Sequence, residues 1–336
     1  MLSLPRVGRA WTLPGLTVVL ALALSLGLTA LSAPAQAQGF PNRPLTIVVP
    51  YPPGGATDLL VRLLQPRLQT ALGQSVVVEN KAGANGNIGG ASVAKAAPDG
   101  YRILMATQPM ISINPHLQKE AGWDPLKDLV PLTNAVDAVI AVAVNAALPI
   151  NNLAELIAYG RKNPGKLTFG TAGAGSPQHL GGVLLGQRAQ VQWTHVPYKG
   201  GGPMINDLIA GHVPVGIGTL AIFKPFIKEG RLRVIAVGGA ARHAGTPDIP
   251  TLAETLPGFE LNTWMGFYAP AGTPAGVQKL LSTELQRALR AEDLRAKLLD
   301  AALVVNAEGP EPLARVGRSE FDLYGKLVRD NLITLD

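Results

Sequence analysis

From residue 44 onward, short β-branched runs alternate with Ala/Leu-rich segments of helical period, and Gly or Pro separates them. This alternation predicts a parallel α/β architecture, in which a helix follows each strand and returns the chain. The strand candidates are Thr46 to Tyr51, Ser75 to Glu79, Tyr101 to Ala106, Ala138 to Asn145, Leu167 to Gly170, Thr194 to Tyr198, Val213 to Ile217, Arg233 to Val237 and Thr263 to Ala269. Most are apolar without clean alternation, as expected of strands covered on both faces. Asn151 is placed to cap a helix through Leu153, Leu156 and Ile157, which Asn163-Pro164-Gly165 ends. Thr273-Pro274 opens a long helix whose Val277, Leu280, Leu281, Leu285 and Leu289 share one face. Pro66 predicts a kink, or two short helices, after the first strand.

No Gly/Ser hinge marks a domain boundary. Two lobes would have to be joined by extended segments, and Ala138 to Asn145 and Leu261 to Ala269 are the candidates. The first residues carry a different pattern. Arg6 and Arg9 precede an apolar run, Leu16 to Leu31, followed by Ala35-Gln36-Ala37. That order is a secretory leader, with cleavage expected after Ala37 and an uncleaved anchor as the alternative. No second stretch reaches the roughly eighteen apolar residues of a membrane span, so the processed chain is expected to be soluble. The sequence has no Cys, which excludes a lipid anchor on cysteine, disulfides and thiolate metal sites.

The formal charge of +6 falls on processing, because the leader removes two Arg and leaves 27 basic against 23 acidic residues, a net +4. These charges are interspersed, with no basic stripe and no interleaved aromatics, so no nucleic-acid partner is expected.

Candidate chemistry concentrates at strand-to-helix turns. Val48 to Asp58 ends a strand in Tyr51-Pro52-Pro53-Gly54-Gly55-Ala56-Thr57-Asp58 and opens a helix whose first N–H groups can receive an anion. Asp58 would repel that anion and reads as a structural cap. An ordinary βα turn is the alternative for the whole segment. A second such turn, Gly170 to Pro177, has Ser176 as cap and Pro177 at the first helical position, with N–H groups near Gly175 and Ser176 expected to be free. In the loop Val196 to Pro203, Tyr198 can form a wall over a ligand and Lys199 can pair with a carboxylate, although an isolated Lys is usually solvated. Gly83 to Gly90 reads as a packed turn. Gly216-x-Gly218-x-x-Ala221 lacks the acid that a dinucleotide site needs. No phosphate loop and no G-x-S-x-G occurs, and His116, His179, His195, His212 and His243 show no metal-ligand spacing. Neither a cofactor, a metal nor a catalytic residue is expected. An exported hydrolase with a triad assembled in space stays open as the remote alternative.

Several short segments, taken in order, resemble one family. Arg43-Pro44-Leu45, Val49-Pro50-Tyr51-x-x-Gly54-Gly55-x-x-Asp58, Glu79-Asn80-Lys81, Ala97-Pro98-Asp99-Gly100-Tyr101, Pro164-Gly165-Lys166-Leu167, His195-Val196-Pro197-Tyr198-Lys199-Gly200 and Ala269-Pro270-Ala271-Gly272-Thr273-Pro274 are similar to the Bug/TctC receptors of tripartite tricarboxylate transporters. The resemblance implies a type II periplasmic binding protein fold of two α/β lobes with a ligand cleft between them. It implies lobe 1 from residues 38–138 plus 263–336, and lobe 2 from 139–262. It also implies carboxylate capture at the turns matching Gly54 to Asp58 and Gly173 to Pro177, largely by backbone groups and water. Thr107, Gln108 and Thr219, beyond the ends of two strand candidates, complete the expected ligand-binding set. The implied partners are the two membrane subunits of a transporter, or a sensor kinase, with the receptor itself a monomer. Val183, Pro214 and Gly218 stand where relatives carry acids, which points to a carboxylate ligand without an amine.

Overall fold

The computed structural model describes residues 39–118 and 121–331; the leader and its cleavage site lie outside them. The chain divides into two compact units, Met1–Asn42 and Arg43–Asp336, and every described strand and helix belongs to the second. In chain order these are β1 (Leu45–Val49), α1 (Ala56–Leu72), β2 (Val76–Asn80), α2 (Asn87–Ala94), β3 (Arg102–Thr107), α3 (Asn114–Leu117) and β4 (Leu129–Asn145). They continue with α4 (Leu153–Lys162), β5 (Leu167–Thr171), α5 (Pro177–Ala189), β6 (Trp193–Pro197), α6 (Gly201–Ala210), β7 (Val215–Thr219) and α7 (Leu220–Lys228). The last are β8 (Leu232–Val237), α8 (Leu252–Thr255), β9 (Asn262–Pro270), α9 (Ala275–Leu289), α10 (Glu292–Asp300), β10 (Leu303–Glu308) and α11 (Pro310–Asp330).

The order β2-β1-β3-β9-β4-β7-β5-β6 gives one continuous sheet, with β8 and β10 pairing β4 as well. At 17 residues, β4 is shared between two groups of strands. Its first part pairs β9 and β10, and its second part, from Ile140, pairs β7 and β8. The registers fix how the two groups meet. Thr107 at the end of β3 is level with Met265 of β9, which is level with Val136 of β4. Thr219 at the end of β7 is level with Ile140. Since β3 runs with β4 and β7 against it, their carboxyl ends face each other across four residues of one strand, about 13 Å.

Apolar strands carry helices on both faces, as their composition predicts. Around β4, Ile140, Val142 and Val144 pack with Leu153, Leu156 and Leu185, whereas Val139, Ala141 and Ala143 pack with Met204, Leu208 and Phe223. Four sequence expectations change. The sheet is mixed and not parallel throughout, because β9 runs against β3 and β4, and β4 against β7, β8 and β10. Pro66 lies inside a single helix, α1, because Leu60, Val61, Leu64 and Leu68 keep one buried face across it, so two short helices do not form. The cap of α4 is Asn152, whose side chain accepts the N–H of Glu155, and the neighbouring Asn151 instead donates its own N–H to that carboxylate. Two strands were missed: β10, and the first part of β4, where Pro131 and two register shifts break the pattern.

Gly238 sits where β8, β4 and the approach to β9 meet. Its N–H donates to Ile140 O at 2.7 Å, and its carbonyl accepts from Leu261 N–H at 2.8 Å. A Cβ there would stand 1.7 Å from Leu261 O, a backbone atom with nowhere to move. Gly238→Ala is therefore expected to lower unfolding stability by at least about 3 kcal/mol in urea titration, where a surface Gly→Ala would change little.

Candidate functional site

The first turn begins with Tyr51, whose hydroxyl lies 2.9 Å from Thr107 Oγ1, tying the end of β1 to the end of β3. Burial pushes the Tyr51 hydroxyl up, so it stays a neutral donor. Asp58, 3% exposed, accepts Arg62 Nε at 2.8 Å, Asn80 Nδ2 at 2.9 Å and the Gly54 N–H at 3.0 Å. Asn80 also donates to Tyr51 O at 3.2 Å. The Arg62 guanidinium, with these further donors, holds the Asp58 carboxyl down at about 2. Its charge is thus answered within the fold, although it does not act as the expected cap: the N-cap of α1 is Gly55, with no side-chain bond to the first helical N–H groups. The N–H groups of Gly55, Ala56, Thr57 and Asp58 find no protein partner among the described residues, and Gly55 and Ala56 are exposed. A helix start with free donors and a neutralised acid suits an anion. The Gly54 N–H is not one of those donors.

The second turn departs further from expectation. Ser176 caps α5 by accepting the His179 N–H at 3.2 Å, and Pro177 holds the first helical position, both as predicted. The N–H groups expected to be free are taken. Gly175 N–H donates to His179 Nδ1 at 3.1 Å, Ser176 N–H to Gly173 O at 3.4 Å, and Gly173 N–H to Thr171 Oγ1 at 3.3 Å. The remaining unpaired N–H groups in and just after this turn are those of Ala172, Ala174 and Gln178, among the described residues.

Tyr198 packs against Gly170, where an added Cβ would lie 3.0 Å from Tyr198 Cε2, and its hydroxyl donates to Asp207 Oδ2 at 2.8 Å. Burial and that carboxylate push the Tyr198 hydroxyl up to about 12. Lys199 is exposed and without an ion-pair partner among the described residues. Thr219 precedes α7 in extended conformation without using its hydroxyl as a cap. Gln108 does not face solvent: it is fully buried, with Nε2 3.4 Å from Tyr324 Oη, because α11 covers the end of β3. Any ligand contact from Gln108 is left to its backbone.

Sequence reasoning missed two clusters. His179 and His195 stack with ring centroids 3.7 Å apart, brought together because α5 lies over the β5–β6 edge, 16 residues apart in sequence without helical spacing. Glu320 of α11 accepts Trp264 Nε1–H at 2.6 Å on β9, and burial pushes its carboxyl up to about 7. The acid replacements also acquire reasons. Val183 packs in an apolar cluster with Leu180, Ile113 and Leu327. At Gly218 a Cβ would stand 2.8 Å from Ile222 and 3.0 Å from Phe223. No group of three or more His, Asp or Glu that could hold a metal occurs among the described residues.

The model of the tripartite tricarboxylate transporter family receptor, TctC, matches residues 60–331. The chain belongs to this family. A Pseudomonas sp. (strain P51) relative, a UPF0065 protein encoded between tcbD and tcbE, is 36% identical over 97% of this chain and 95% of its own length. A Rhodopseudomonas palustris protein solved with adipate has a TM-score of 0.75 at 33% identity, covering 88% of this chain and 99% of its own. MatC from the same organism, with bound malate, has a TM-score of 0.70 at 30% identity over 86% of this chain and 100% of its own. The fold of this TctC receptor is the type II periplasmic binding fold, shared with the periplasmic binding protein BugD. TctC proteins are binding receptors of the periplasm and not enzymes.

Asp58→Asn is expected to cost this receptor about 1–3 kcal/mol near neutral pH, since three donors lose a charged acceptor. The folded carboxyl titrates at about 2, below its unfolded value of about 3.9, so the stabilisation is complete above the unfolded value. Denaturant titrations should find the gap between wild type and variant closing as pH falls from about 4 towards about 2.

Proposed function

We propose that the chain is an exported solute receptor, cleaved after Ala37, that captures a small carboxylate lacking an amine. It returns that ligand unchanged to the two membrane subunits of a tripartite tricarboxylate-type transporter. The observation that carries this reading is the convergence of two helix starts on one gap. The ends of β3 and β7 face each other across residues 136 to 140 of β4. Leu180, in the first turn of α5, shares a cluster with Ile113, five residues past Gln108. The start of α5 therefore approaches the end of β3, where Tyr51 meets Thr107. We infer a cleft here, with residues 38–138 plus 263–336 on one side and 139–262 on the other.

In this reading the N–H groups of Gly55 to Asp58 receive one carboxylate group directly or through water, with Tyr51 and Thr107 beside them. Across the gap, Ala174, Gln178 and Thr219 supply donors, the Gly173 to Pro177 turn supplies shape, Tyr198 a wall and Lys199 a mobile cation. The apolar setting of Val183 and the filled space at Gly218 leave an ammonium group without a carboxylate partner there. Solved relatives with adipate and with malate point to dicarboxylates of four to six carbons.

Calorimetry on the processed protein should find binding of adipate or malate, and glutamate binding weaker by at least about tenfold. Ligand at about one hundred times its dissociation constant should stabilise by about 2.7 kcal/mol, and mass spectrometry should recover it intact. Tight glutamate binding with none of either diacid would overturn the ligand class, and a converted ligand would overturn the receptor reading.

A further inference from the structure

His179 and His195 have no role in the reading above, yet both reach the second turn. Their rings lie 13° from parallel. His179 Nδ1 accepts the Gly175 N–H, so in the neutral ring the proton sits on Nε2. His195 Nε2 lies 2.8 Å from Thr171 Oγ1. That hydroxyl accepts the Gly173 N–H and lies 3.1 Å from Gly173 O. One ring thus holds the beginning of the turn through Thr171, and the other holds its end at Gly175.

We propose that the stacked pair His179 and His195 are positioning residues that keep the Thr171 to Ser176 turn in its ligand-receiving form, and that protonation of the pair releases it. This rests on the carboxylate-receptor reading. A proton on His179 Nδ1 removes the acceptor for Gly175, and two cationic rings 3.7 Å apart repel. The groups facing the rings are Phe169 and Thr171 from β5, Trp193 from β6, Val183 and Gln187 from α5, and Asn331 after α11. None is charged, so no carboxylate there offsets a proton. Burial, and for His195 also the neighbouring ring, holds both histidines down at about 4. A cavity of about 760 Å³ borders both rings and gives water and protons access.

The decisive pair of variants is His179→Phe, which keeps a ring but no acceptor, and His179→Asn, whose Oδ1 can accept the Gly175 N–H. In ligand-free protein followed by NMR, His179→Phe should speed exchange of the Gly175 amide by about tenfold or more, and His179→Asn should restore most of the protection. Adipate affinity should fall by about tenfold in the Phe variant and recover in the Asn variant. Between about pH 6 and about pH 4 the ratio of wild-type to Asn-variant affinity should fall, the titration of adipate itself being common to both. Unchanged Gly175 exchange in the Phe variant, or a pH-independent affinity ratio, would overturn the proposal. If the Phe variant does not fold, wild-type protein decides: the Gly173 and Gly175 amide shifts must titrate together with the histidines, and constant shifts refute it. Because the exchange and shift measurements need no ligand, failure of adipate to bind counts against the receptor reading alone.

Discussion

The architecture depends on the shared use of β4. One strand gives its first part to β9 and β10 and its second part to β7 and β8, so both groups take their register from the same backbone. A strand paired on both edges over most of its length cannot slip without breaking two ladders at once. The distance between the ends of β3 and β7 is therefore set by residue count along β4, and side-chain packing only refines it. Helix starts that need accurate placement, α1 and α5, follow strands tied to this ruler through β3 and β7.

The two turns solve the same problem differently. In the first, a carboxylate at Asp58 is absorbed by Arg62 and Asn80, so the helix start stays receptive although an acid lies in its first turn. In the second, neutral groups do the work, and the N–H groups of Gly173, Gly175 and Ser176 are spent on Thr171, His179 and Gly173. Few donors remain, but the loop that carries them is braced at both ends. If the turn receives the proposed ligand, its rigidity lowers the ordering cost of binding.

Much of this was legible in the sequence. The nine strand candidates, the helix opening after Thr273-Pro274 and the cap at Ser176 follow from local rules of burial, turn chemistry and helix ends. Features that depend on strands distant in sequence were not legible. Pro131 disguised the first part of β4, because a bulge tolerates a residue that a regular central strand would reject. The histidine stack has no sequence signature, since α5 and β6 meet only after β5 has formed beside β6. Glu320 and Trp264 are likewise joined only by the packing of α11 on β9. The expectation of free donors at Gly175 and Ser176 failed for a local reason: the His179 ring folds back on Gly175 N–H, and Gly173 O accepts Ser176 N–H, neither of which capping rules foresee.

Gly216 and Gly218 look in the sequence like a loose nucleotide fingerprint, and the fold gives them another purpose. Leu208 and Phe223 occupy the space their side chains would fill, so α6 and α7 lie directly on the strand. An acid therefore cannot be added at the end of β7 without displacing Phe223 or Ile222. Redesign of this receptor for amino acids would have to start from the exposed loop around Lys199, where new side chains meet solvent and not the core.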